Sequence, residues 1–161
     1  LYRGPGGTGP ATIVPVGNDL FYLATDGLRT LRVTAGELEG SGAALTSIPL
    51  SNRIRTIMAD ETPWAFKYAS GVFHDHRLYM TSIARKHNVI NEQGNKIEDF
   101  HFDGILTVDT NTVTERKIVF EGVTTGAKFL EVFEVERYGA KRLVAFGKNA
   151  AGSVPGAWTW K

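Results

Sequence analysis

Two of the four histidines of this 161-residue chain stand in one short stretch, "VFHDHRLYM", Val72 to Met80, with Asp75 between them. On a strand, imidazoles at i and i+2 share a face and could bind one zinc ion. Further ligands would be needed, and His87, Asp99, His101 and Asp103 follow in a polar stretch. At a hairpin tip the same rings point into solvent, and the aspartate builds the turn. The turn reading is the preferred one; His74, His76 and His101 stand as the candidate metal ligands behind it.

Other chemistry finds few carriers. The chain has no cysteine, which excludes disulfide frameworks, thiolate metal sites and cysteine nucleophiles. It has no Gly-x-Ser-x-Gly elbow and no His-Glu-x-x-His. The adjacent acids Glu98-Asp99 could move protons, but paired acids in a polar loop are usually solvated. "GPGGTGP", Gly4 to Pro10, lacks the Gly-Lys-Ser/Thr ending of a phosphate loop and reads as a linker or turn. No catalytic residue and no cofactor is assigned. A formal net charge of +1 argues for neither nucleic-acid nor membrane binding, and no apolar run is long enough to span a bilayer.

The elements that must position these residues recur along the chain. Hydrophobic content of 42% with 22% charge is ordinary for a globular domain, and the 18 glycines and 11% aromatics tilt it toward all-β. In "TIVPVGNDLFYLATDGLRTLRV", Thr12 to Val33, an apolar strand meets the turn Gly17-Asn18-Asp19, a second strand follows, and Asp26-Gly27 turns into a third. "KYASGVFHDHRLYMTSIA", Lys67 to Ala84, with "FDGILTVDT", Phe102 to Thr110, repeats that order. "AKFLEVFEVERYGAKRLVAFG", Ala127 to Gly147, with "PGAWTW", Pro155 to Trp160, repeats it again.

The three middle strands align at Phe21-Tyr22-Leu23, Leu78-Tyr79-Met80 and Leu143-Val144-Ala145. The strands after them open at Gly27, Gly104 and Gly156 and fit Gly-apolar-x-Thr-apolar. These glycines are expected to supply the positive φ with which the chain re-enters the sheet. By this alignment His74-Asp75-His76 takes the place of Gly17-Asn18-Asp19, hence the turn reading.

The sequence therefore predicts antiparallel four-stranded meanders arranged as blades of a partial β-propeller. Units are expected at about residues 11–47, 65–122 and 126–161, with 112–122 adding an outer strand to the middle one. Ser51 caps a short connecting helix over about 51–60, with Ile54, Ile57 and Met58 on one face. Ala84–His101 reads as an exposed loop. The abrupt ends suggest a piece of a longer polypeptide.

Four pieces in order, "VPVGNDLFYLATDGLRTL", "IPLSNRIRTIM", "VFHDHRLYM" and "DGILTVDTNT", resemble phage tail proteins with β-propeller folds, over about Ala11 to Phe120. The likeness is to the hub, nozzle or tube-end proteins that hold packaged DNA in short-tailed phages. It implies a virion tail protein without catalysis, a ring of copies joined to other tail and portal proteins, with non-specific DNA contact at most. Three sheets cannot close a propeller, so the isolated chain is expected to associate through its open edges. The alternatives are a carbohydrate- or peptide-binding propeller, with Trp64, Trp158 and Trp160 as stacking platforms, and a metal-dependent enzyme on the His-x-His turn.

Overall fold

The computed structural model describes residues 7, 9–17, 19–24, 27–33, 45–49, 65–111 and 119–160. The expected helix over 51–60, Asn18 and Trp64 lie outside them. The described chain is mostly β, in two antiparallel sheets, one of which curls as a half-barrel. Strands β1 (Val14–Val16), β2 (Asp19–Ala24), β3 (Gly27–Val33) and β4 (Leu45–Pro49) form the first sheet in that order. The second holds β5 (Gly71–His74), β6 (Arg77–Ile90), β7 (Lys96–Asp109), β8 (Val119–Arg137), β9 (Ala140–Asn149) and β10 (Pro155–Trp160), again in chain order. The strands of the second and third expected units thus run in one sheet, joined where β7 pairs with β8. Val119–Gly122 is the start of the 19-residue β8 and lies between β7 and β9.

The repeats appear as a shared register. Leu78 pairs Val108, Tyr79 pairs Thr107, and Ser82 pairs Gly104; likewise Leu143 pairs Trp160, Val144 pairs Thr159, and Gly147 pairs Gly156. In the first copy Leu20 pairs Leu31, Phe21 pairs Thr30 and Ala24 pairs Gly27. The first copy therefore aligns one residue earlier than its side-chain types suggest, on Leu20-Phe21-Tyr22. Each copy begins with a tight hairpin. Asp75 and His76 have φ of 46° and 59°, and Tyr138 and Gly139 have 55° and 72°, the paired positive values of the turn whose twist matches the flanking strands. Gly17 at φ 60° sits in the corresponding place.

Gly27, at φ 120°, does re-enter the sheet as expected. Gly104 and Gly156 do not: both lie inside strands and neither has a positive φ. Gly104 is there for space, since a Cβ would overlap Val123 Cγ1 and meet Ile83 Cδ1 at 3.3 Å. At Gly156 a Cβ would press on the Trp158 ring at 3.3 Å.

Ala84–His101 is not a loop. It is the distal half of the β6–β7 hairpin, paired from Ala84↔Phe102 to Ile90↔Lys96 and closed by a turn in which the Asn91 side-chain oxygen accepts from the N–H groups of Gln93 and Asn95. Its polar composition misleads because one strand face near the tip is solvated and the other is only partly covered.

Two apolar clusters hold the molecule. In one, Val14, Phe21, Leu23 and Leu28 of the first sheet meet Leu78, Met80, Leu106 and Val108 of the second, all buried. The other lies within the curl of the second sheet, around Ala84, Phe102, Ile105, Phe129, Val132, Leu143 and Ala145. Ile83, a β-branched residue at φ 61°, creases β6 between them. On the turn side of the crease Tyr79 and Ile105 face this second cluster; on the tip side Ala84, Phe100 and Phe102 do. The alternation has changed parity. The residues left on the outer face of the tip are then Arg85, His87, Val89, Asp99, His101 and Asp103.

Ser70 ties three segments together. Its N–H donates to Thr81 Oγ1 at 2.9 Å, its carbonyl accepts the Thr81 N–H at 2.9 Å, and its hydroxyl accepts the Val132 N–H at 2.8 Å. Ser70→Ala would strand a buried backbone donor on β8, and urea unfolding is expected to show a loss of about 2 kcal/mol.

Candidate functional site

The hairpin that opened the sequence reading holds no metal constellation. Asp75 and His76 are the exposed turn residues, while His74 ends β5 and pairs with Arg77. His74 Nδ1 lies 2.8 Å from Glu134 Oε2, and Lys141 Nζ lies 2.8 Å from the other oxygen, Oε1. The His74 hydrogen bond first, and the Lys141 one next, hold the Glu134 carboxyl below its usual range. The trio pins the β5 end to the β8–β9 hairpin, which explains His74 without a ligand.

His101 and His87 lie at the other end of the sheet. From Arg77 to His87 the strand advances about 33 Å, so no single ion joins His74 and His76 to His101. Among the described residues no three His, Asp or Glu side chains are placed to hold a metal ion.

The outer face of the β6–β7 tip nevertheless gathers chemistry. His87 faces Asp99 across the strands, and His101 sits diagonally from His87 with ring centroids 5.0 Å apart, edge to face. His101 Nε2 is 2.9 Å from Asp103 Oδ1, whose other oxygen accepts from Arg85 Nε at 3.1 Å. His87 Nε2 is 3.6 Å from Asp99 Oδ2, which also receives Lys148 Nζ at 3.2 Å. Burial pushes Asp99 up, but the Lys148 hydrogen bond, the Phe100 N–H and the charges of Lys148 and His87 outweigh it and leave Asp99 below its ordinary value. The Nδ1 atoms of His87 and His101 are both buried without a hydrogen-bond partner among the described residues. His87, Asp99, His101 and Lys148, with Lys128 and Gly152, line a cleft of about 210 Å³.

The sequence named His87, Asp99, His101 and Asp103 as a supplementary ligand set. The structure brings them together, but as two imidazole–carboxylate pairs. Sequence reasoning missed Lys128 and Lys148, which reach the cleft from β8 and β9. Glu98 does not act with Asp99: it points to the opposite face and meets Lys86 at 2.7 Å. Trp158 is half-buried, its ring set edge to face with Phe129 at a centroid distance of 5.8 Å.

A pH effect follows. Burial foremost, then His87 and Lys128, hold His101 below the ordinary imidazole value of about 6.5, against the pull of Asp103. The unfolded chain then takes the proton at a higher pH than the fold does. Stability from this residue is complete above about pH 6.5 and is lost as pH falls from there through the folded value. The depressed carboxyls Asp99 and Glu134 act separately, below their ordinary values of 3.8 and 4.5. Urea midpoints measured from neutral to mildly acidic pH should fall, and His101→Gln should flatten that part of the curve.

Among the described residues no helix is long and apolar enough to cross a membrane. Comparison of the chain with protein-family models, with curated proteins and with solved structures finds no match.

Proposed function

We propose that the chain is a non-enzymatic structural protein of a phage tail, a hub or nozzle component that assembles with copies of itself and with tail and portal proteins around packaged DNA. The observation that carries this reading is the recurrence of one three-strand stretch in one register, at β1–β3, β5–β7 and β8–β10. A serial β scaffold of that kind agrees with the propeller type that the four ordered sequence pieces resemble. Blade completion would fall to chain or partner strands beyond these stretches. Among the described residues β4 and β10 have one strand neighbour each, and an open edge of this kind invites pairing. The +1 net charge suits a wall that does not grip DNA tightly.

The test is electron cryomicroscopy of the virus particle. Density for this chain in a ring at the tail supports the reading, and particles whose tails are fully accounted for by other proteins overturn it.

A further inference from the structure

We propose that two chains stack head to tail, with the open face of β8–β10 of one seated on the open face of β1–β3 of the next. The proposal deepens the self-assembly in the reading above and rests on it for the choice of a second chain as occupant. It adds the surfaces and the mode, face on face rather than edge to edge.

The register gives every repeat the same two faces. One face, the leucine face, carries Leu20 in the first repeat, Leu78 in the second and Leu143 in the third. The reverse face carries Phe21 and Leu28, then Tyr79 and Ile105, then Val144 and Ala157. Within the chain these faces meet twice, in the same sense each time. Phe21 and Leu28 of the first repeat share a cluster with Leu78 of the second. Tyr79 and Ile105 of the second share the other cluster with Leu143 of the third. Each repeat lays its reverse face on the leucine face of the repeat after it, because an apolar sheet face must be covered.

Two faces are left over, and they are the two halves of that joint. On the reverse face of the third repeat Phe146 is 42% exposed, and Val135, Ala157 and Thr159 are exposed as well. The matching positions of the other repeats are buried: Leu23 and Thr81 for Phe146, Leu28 and Ile105 for Ala157. Thr30 and Thr107, which match Thr159, are buried too. On the leucine face of the first repeat Tyr22 is buried, but Leu20 is 39% exposed and its partner Leu31 is half-buried. Leu78 and Leu143, in the place of Leu20, are both 0% exposed.

One chain therefore carries an open reverse face and an open leucine face. Seating the first on the second of another chain repeats between chains the packing that already joins the repeats within one. The two surfaces differ, so the contact is heterologous: chains add in one direction and close as a ring or run on as a filament.

Sedimentation velocity of Phe146→Glu and Leu20→Glu tests this. Both side chains are accessible, so each variant should keep the circular dichroism of the parent. A charge buried without a partner at the joint should weaken association by about tenfold or more in each. Each variant retains one working face, so an equal mixture should form a one-to-one complex and nothing larger. Ile90→Glu, an exposed apolar position at the β6–β7 tip, should associate as the parent does. Association as strong in Phe146→Glu and Leu20→Glu as in the parent overturns the joint and leaves edge pairing, with the reading above, standing. Loss in one of the two variants alone, or no complex on mixing, overturns the head-to-tail mode. A parent chain that stays monomeric overturns the joint and the self-assembly together.

Discussion

Gly147→Ala is expected to be among the most damaging single changes in the chain, costing about 3 kcal/mol and abolishing the cooperative unfolding transition if total stability is modest. Gly147 pairs with Phe129 on one side and Gly156 on the other, in the middle of the β8–β9–β10 ladder. A Cβ there would overlap the Lys128 carbonyl oxygen and lie 2.9 Å from Phe129 Cα and 3.0 Å from Lys128 C. All three neighbours are backbone, so no rotamer change relieves them. The close approach belongs to the bulge next to it, where the register steps from Phe129 to Glu131 and Leu130 is left unpaired. Gly104→Ala is the natural comparison. Its overlap is with the Val123 side chain, which can turn away, so its loss in urea unfolding should be clearly smaller.

The second large effect is expected at Phe102. This ring is fully buried in the cluster within the curled sheet, on the tip side of the Ile83 crease, paired with Ala84 and Phe129 and edge-on to Phe100 at 6.2 Å. Phe102→Ala removes the packing that holds the long hairpin against β8, and a loss of about 4 kcal/mol is expected. Phe146→Ala, at 42% exposure, should cost far less. If the two substitutions cost the same, the ring does not face the core and the change of parity at Ile83 is wrong.

What could be read in the sequence depended on whether the signal was local. The hairpin turns at Gly17, Asp75-His76 and Tyr138-Gly139 were legible because Gly, Asp and their neighbours mark positive φ by type alone. The strands of the repeats were legible through alternation, and the Gly-apolar-x-Thr-apolar pattern does mark equivalent strands. The one-residue offset of the first copy was not, because pairing register is a relation between strands that side-chain likeness only approximates. Gly104 and Gly156 read as positive-φ glycines at strand starts, since a glycine needed for room looks the same in sequence as one needed for a positive φ. Ala84–His101 reads as a loop in the sequence because its polar residues are spread over a long, largely solvated hairpin. The union of β5–β7 with β8–β10 in one sheet has no local mark at all.

The candidate site shows the same division. The spacing of His74 and His76 leaves a ligand reading open behind the preferred turn, and the structure sets His74 against Glu134. His87 and His101 are 14 residues apart in sequence, and only the antiparallel register sets them on one face. Lys128 and Lys148 join them through two further ladders, which no motif could announce.

The central claim is an open-edged β scaffold, and sedimentation velocity of the purified chain over a range of concentrations tests it most directly. The account predicts association that grows with concentration, toward a ring or larger assemblies. A single, stable monomer across the whole range would contradict it.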